Sequence, residues 1–294
     1  MKSMIALIKR EYLEHRGAFL YAPIGLLAIF TLAIASALAF NKVRLPYEVG
    51  IPSALKFYEL AFAFAGGLWF VYLMVALFFY YADAFSADRR NNAMFFWKSM
   101  PVTDFKVLSS KMLAGMTVFP ALIFIALLAT GMVLYFHTML ALVVMPRLVV
   151  PGILDVIWSS LRIGFFGLVY LALALLWYAP FYAWVGALST VFRRWSIPLA
   201  LLVPGLIGLL ENLFFSDTGP GAGHFLGFLR QRADFSLDRR DIQAAFMSDQ
   251  PVDIGILLNS LVGGIDWVQL AGGLIFAALA VYAASEYRRR VIST

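Results

Sequence analysis

Between Glu59 and Asp83 the chain passes through 23 consecutive residues without a charged side chain, LAFAFAGGLWFVYLMVALFFYYA, and comparable runs recur along its length. No other feature restricts the fold as strongly. The hydrocarbon core of a bilayer is about 30 Å thick and offers no water to backbone amides, so a crossing segment must be a helix of about 20 apolar residues. The composition agrees: 62% of the residues are hydrophobic and 14% charged, with a mean hydropathy of +0.84. A soluble domain averages roughly 45–50% apolar and 25% charged. The chain is therefore expected to be an all-α integral membrane protein.

Uncharged length marks six spans within one transmembrane domain, 1–294: about 19–40, 60–82, 112–137, 163–192, 195–215 and 267–285. The fourth is long enough for one tilted helix, with Pro180 as a point of kinking, and too short for two crossings. The region 138–160 is apolar as well, but Arg147 at its centre would cost about 2.5–3.5 kcal/mol to insert. Pro146 and Pro151 also break its helical continuity. It is expected to be interfacial or partly re-entrant. The apolar run 17–40 exceeds the roughly 7–15 residues of a signal h-region, so it is expected to be an uncleaved anchor.

Orientation follows from the basic residues. Both termini, the 83–111 loop and the Arg193–Arg194 turn fall on one side of a six-span chain and carry 14 of its 23 Lys and Arg residues. That side is expected to be cytoplasmic. Residues 1–16 place Met1, Ile5, Ile8 and Tyr12 on one stripe with Lys2, Lys9 and Arg16 off it, the pattern of an amphipathic helix lying among lipid headgroups. On the opposite side 216–266 is the one long polar segment. Its apolar content is too low for a separate domain, so short helices on the membrane face are expected.

Much chemistry is excluded. With no cysteine there is no disulfide and no thiolate site. No G-x-x-x-x-G-K-[ST] occurs, so the chain has no P-loop of its own, and no H-E-x-x-H occurs either. His15, His137 and His224 fall in different regions, giving no sign of a metal site. Gly219, Gly221 and Gly223 are expected to be turn glycines, with no helix start evident after them. The basic balance belongs to headgroup contacts rather than nucleic acid. Catalytic residues and cofactors are absent from the reading. Ion-coupled carriers place ionisable groups near the midplane; the first four spans have none at their centres, and Glu211, beside Asn212, lies about four-fifths of the way through the fifth span toward the outer face. That pair is either a polar element of a substrate path or hinge, or a carboxylate snorkelling to the outer interface. In the sixth span Gly273 and Ala277, then Ala280 and Ala284, have the spacing of a close helix contact.

One loop combines charge with aromatics. In 83–111, Ser86 is expected to cap a helix over 87–100, with Arg90, Met94, Trp97 and Pro101 along one side and Phe96 and Met100 on the next strip. Thr103 is then expected to cap the third span, with Lys106 and Lys111 at headgroup level. Such a helix either anchors at the lipid interface through Trp97 or docks an aromatic tip into a soluble partner.

The run ADRRNNAMFFWKSMPVTDFKVLSSKML resembles the first cytoplasmic loop of the type-2 ATP-binding-cassette transporter permeases. Asp88-Arg89 resembles the family's acidic-Arg pair, and Pro101-Val102-Thr103 with Lys111 its closing pattern. Asp88 stands where Glu is usual, and Asn92-Ala93 where Gly-Thr is usual. The N-terminal IKREYLEHR, the TVFRRWSIP turn and the closing EYRRR fit the same family. The resemblance implies an exporter permease in a bacterial cytoplasmic (inner) membrane, both termini cytoplasmic. Two copies would pair with two copies of a separate ATPase subunit that carries the ATP and Mg. Asp88, Arg89, Arg90, Met94, Phe95, Phe96, Trp97, Met100 and Pro101 would form the coupling helix seated in that subunit, and 216–266 would form an outer lid. The alternative is a non-transporting scaffold or sensor using the same loop.

Overall fold

The computed structural model describes residues 2–40, 53–90, 102–144, 150–215, 224–246 and 250–291, and every regular element among them is helical. Six helices are long and apolar enough to cross a membrane. The chain is thus a multi-pass membrane protein. Helix α1 (Lys2–Arg16) leads through a π-helical turn, Gly17–Tyr21, into α2 (Ala22–Ala39). The third helix, α3, is Ala54–Arg90, and α4 (Asp104–Met116) is followed directly by α5 (Val118–Val144). Helix α6 (Ile153–Phe192) continues unbroken through Pro180. Arg193, at φ 50°, ends it and opens a three-residue 3₁₀ turn into α7 (Ser196–Phe215). Three short helices follow, α8 (His224–Ala233), α9 (Arg239–Phe246) and α10 (Ile254–Gly264), before α11 (Trp267–Val291).

The core lies where α3 and α11 both pack on α6. Leu73, Leu77, Tyr81 and Phe85 meet Ala179, Ala183, Ala277 and Val281 there. Glycines set the closeness of this packing: a methyl group at Gly115 would lie 2.1 Å from the Tyr81 hydroxyl. The small residues of α11 serve a contact within the chain, since Ala277 and Ala284 are buried in this core. Phe64, Leu68, Val71, Val75 and Phe79 turn outward from α3 at 51–70% exposure. Such a row of large apolar side chains is solvated by lipid tails rather than water.

The structure departs from the sequence expectation at Ser86. Ser86 does not begin a helix: α3 passes through it to Arg90, and its hydroxyl donates to the carbonyl of Asp83 one turn back (3.1 Å). A serine inside a helix satisfies itself in this way, leaving no cap. Of the region 138–160, the described residues 138–144 and 153–160 belong to helices. Residues to Val144 extend α5, and α6 starts at Ile153, just after Pro151. On α1 the stripe-side Ile5 points away from the bundle, and other residues of the helix are buried. Ile5 is 66% exposed, while Leu7 and Glu11 are buried against α4.

Candidate functional site

At the end of the bundle that carries both termini, four helices bring ionised side chains into the interior. Glu11 and Arg10 come from α1, Asp88 from the last turn of α3, Asp104 and Lys111 from α4, and Arg288 from α11. Glu11, Asp88, Lys111 and Arg288 are each exposed by no more than 2%. Lys111 Nζ lies 2.8 Å from Glu11 and 3.9 Å from Asp88. Arg288 donates to Asp88 Oδ2 at 2.9 Å, and its Nε lies 2.7 Å from Asp104, off the hydrogen-bond axis. Arg10 stands 3.7 Å from Asp88 and 2.6 Å from Glu14. The Tyr80 hydroxyl donates to Glu11 at 3.0 Å.

Buried ions cost several kcal/mol each to desolvate, which mutual pairing only roughly offsets, so such a cluster positions elements more than it stabilises them. Here it fixes both ends of one segment. Asp88 precedes the stretch 91–101, and Asp104 and Lys111 follow it. Thr103 caps α4 by accepting the Lys106 amide at 3.3 Å, as its place before Asp104 predicts. Both shoulders of the segment are therefore tied to α1 and α11.

The sequence-nominated residues divide accordingly. Asp88 is buried and occupied by its cations. Arg89 and Arg90 close α3, and their side chains, with Met94, Phe95, Phe96, Trp97, Met100 and Pro101, lie outside the described residues. Lys111, expected at the headgroup level, is instead inside the protein at 1% exposure because two carboxylates await it there. Sequence reasoning missed Glu11 and Arg288 as partners. The available signal was two acids, Glu11 and Glu14, on a mostly basic N-terminal helix and three arginines at the end of the last span, but nothing in the spacing says which of them pair.

Glu211 and Asn212 do not join this cluster. Glu211 accepts the backbone amides of His224 and Phe225, both at 2.8 Å, and so caps α8 from a distance. A helix does begin directly after Gly223, contrary to expectation, and its free amides are met by this carboxylate. Asn212 donates to the Gly208 carbonyl at 2.9 Å. The histidines stay apart on α1, α5 and α8. Glu11, Glu14 and His15 bring ligand atoms within 4.8 Å of one another, but Lys111 and Arg10 already engage the two carboxylates.

A second buried ionic group lies at the other end of α3. Lys56 and Glu59 pair at 3.2 Å with exposures of 2% and 1%. Lys56 also donates to the Gln250 carbonyl (2.7 Å), and Glu59 accepts from Ser159 (2.7 Å) and from the Val252 amide. From Glu59 to Asp88 is 29 residues of α3, about 43 Å at 1.5 Å per residue, and a bilayer with its headgroups measures about 40–45 Å. Farther along the 224–253 segment, Arg232 sits 4.0 Å over the Trp177 ring, donates to the Trp177 carbonyl and is only 3% exposed. Burial pulls its guanidinium below the ordinary value, and the Asp266 carboxylate opposes that shift. Tyr178 and Tyr170 hold the carbonyls of Ala233 and Phe235 at 2.8 Å. The segment is thus fastened to α3, α6 and α7, and it walls a cavity of about 800 Å³ with α3, α5 and α6.

No family model, curated protein or solved structure matches this chain.

Proposed function

We propose that this chain is the membrane-spanning subunit of an ATP-binding-cassette exporter of the type-2 permease class, working with a separate ATPase subunit. The observation that carries the reading is the buried ion cluster built around residues that flank 91–101 in sequence. A docking loop that transmits force must not swing freely on its flanks. Clamping Asp88 on one side and Asp104 and Lys111 on the other to α1 and α11 passes any displacement into four helices at once. The resemblance of ADRRNNAMFFWKSMPVTDFKVLSSKML to the family's coupling loop supplies the partner, and the lack of a P-loop leaves ATP and Mg to that partner.

In this reading the termini face the cytoplasm of a bacterial cell, in keeping with the basic residues on that side. Phe95, Phe96 and Trp97 seat in the ATPase as aromatic anchors, with Arg89 and Arg90 toward the rim. Two copies of the chain pair with two ATPase subunits. The test is co-purification with the ATPase followed by ATP turnover of the complex. Trp97→Ala and Phe95→Glu are expected to abolish assembly or cut turnover at least tenfold. Unchanged assembly and turnover in both variants would refute the coupling role.

A further inference from the structure

We propose that the cavity between α3, α5, α6, the 234–237 link and α9 takes up the tail of an amphipathic lipid, and that such a lipid is the transported cargo. The cargo assignment rests on the permease reading above; the binding site does not. Three observations point to this occupant. First, the cavity wall is apolar and aromatic, and Gly66, Gly67 and Gly167 contribute to it. Glycine inside a helix costs about 1 kcal/mol relative to alanine, which close packing recovers at some positions of this bundle, such as Gly115, Gly131 and Gly186, and not at others. At Gly67 and Gly167 an added methyl group would meet nothing within 4 Å. These two glycines leave space instead of closing it.

Second, the depth fits a lipid tail. The cavity follows α3 from Phe62 to Leu73, about 16 Å of helix, which is about half of a 30 Å hydrocarbon core. At that same depth Phe64, Leu68 and Val71 point outward at 58–70% exposure, so α3 there carries a lipid-facing surface. An apolar tail can enter sideways without crossing water. Third, Asp234 and Arg239 also border the cavity, from the connecting stretch, and both are exposed. One acid and one base complement a zwitterionic headgroup. The volume lies within the roughly 300–1,000 Å³ of ordinary ligand pockets.

The test uses the full chain in vesicles containing a zwitterionic phospholipid with a photoreactive group on one acyl chain. Irradiation is expected to label the cavity-lining Phe62, Leu73, Ile123 and Ile163, which the protein shields from the surrounding bilayer. Gly67→Leu and Gly167→Leu fill the open space and are expected to lower that labelling at least tenfold, with labelling near the exposed Leu213 and Phe214 unchanged and the protein still monodisperse. Equal labelling in parent and variants would overturn the site. So would a loss of labelling accompanied by a change in oligomeric mass, which would give the cavity to a second copy of the chain. Labelling is measured without the ATPase, so failure of the permease reading leaves this result intact. In the assembled complex the same lipid is expected to stimulate ATP hydrolysis by the parent and not by Gly67→Leu. Site labelling without stimulation would overturn the cargo assignment alone.

Discussion

Replacing Asp88 by Asn is the sharpest test of the ion cluster, because the change keeps the volume and removes one charge. Among the four fully buried members Glu11 and Asp88 balance Lys111 and Arg288, so the variant leaves a net positive charge in that sealed interior, while Arg10 and Asp104 stand partly exposed at its edge. Arg288, Arg10 and Lys111 lie 2.9, 3.7 and 3.9 Å from the Asp88 oxygens. At an effective dielectric constant of about 20 these separations correspond to attractions of roughly 6, 4.5 and 4 kcal/mol before desolvation. Desolvation cancels most of that sum, and removing one partner of a buried pair leaves a net loss of about 3–5 kcal/mol. The asparagine oxygen still accepts from Arg288, so the lower end, about 3 kcal/mol, is expected. Thermal unfolding in detergent, followed by tryptophan emission, should show a midpoint lowered by roughly 10 °C at the 2–4 °C per kcal/mol of a chain this size. Asp88→Asn combined with Arg288→Met restores neutrality and is expected to recover more than half of the loss. A single variant within 0.5 kcal/mol of the parent, or a double variant worse than the sum of the singles, would refute the claim that paired buried charge holds these helices.

At the other end of α3, Lys56→Met strands Glu59 in the interior and removes the lysine's bond to the Gln250 carbonyl. It is expected to cost about 3–5 kcal/mol and to speed proteolysis within 234–253, read by peptide mapping; unchanged cleavage would show that the pair does not fasten that segment. Gly273→Leu puts a side chain where even a methyl group would stand 2.1 Å from Arg232 Nη2 and 2.8 Å from Pro180 Cγ. Overpacking of about 1–3 kcal/mol is expected, together with a change in Trp177 emission as the guanidinium leaves the ring. An unaltered spectrum would refute the close fit.

How much was legible beforehand differs by element. The crossings at α3 and α11 follow from local composition alone, because an uncharged run of sufficient length has one low-energy state in lipid whatever its neighbours are. The Thr103 cap follows for a similar reason, since it needs only the residue and the first turn behind it. The start of the helix expected at Ser86 failed because an N-cap residue and a serine donating back to its own helix look alike in sequence. Pro151 was read as breaking helical continuity, and α6 begins just after it, at Ile153. Glu211 was noticed, but its partners, the amides of His224 and Phe225, lie across a connection whose path the sequence does not encode.

The sequence by itself determined that this chain crosses a membrane, where its apolar helices run and which end gathers its basic residues. These are properties of single segments in their solvent, and hydrophobic transfer acts on each segment separately. Only the tertiary structure decided which charges are spent inside the protein. Lys111 meets Glu11 from 100 residues away and Arg288 meets Asp88 from 200. Lys56 finds the Gln250 carbonyl across 194 residues. A charge at a helix end looks the same in sequence whether it faces water, a headgroup or a counterion. Pairing depends on helix packing, and helix packing is set by shape at close range: the places where a glycine admits a tyrosine ring and the places where a glycine leaves a cavity open.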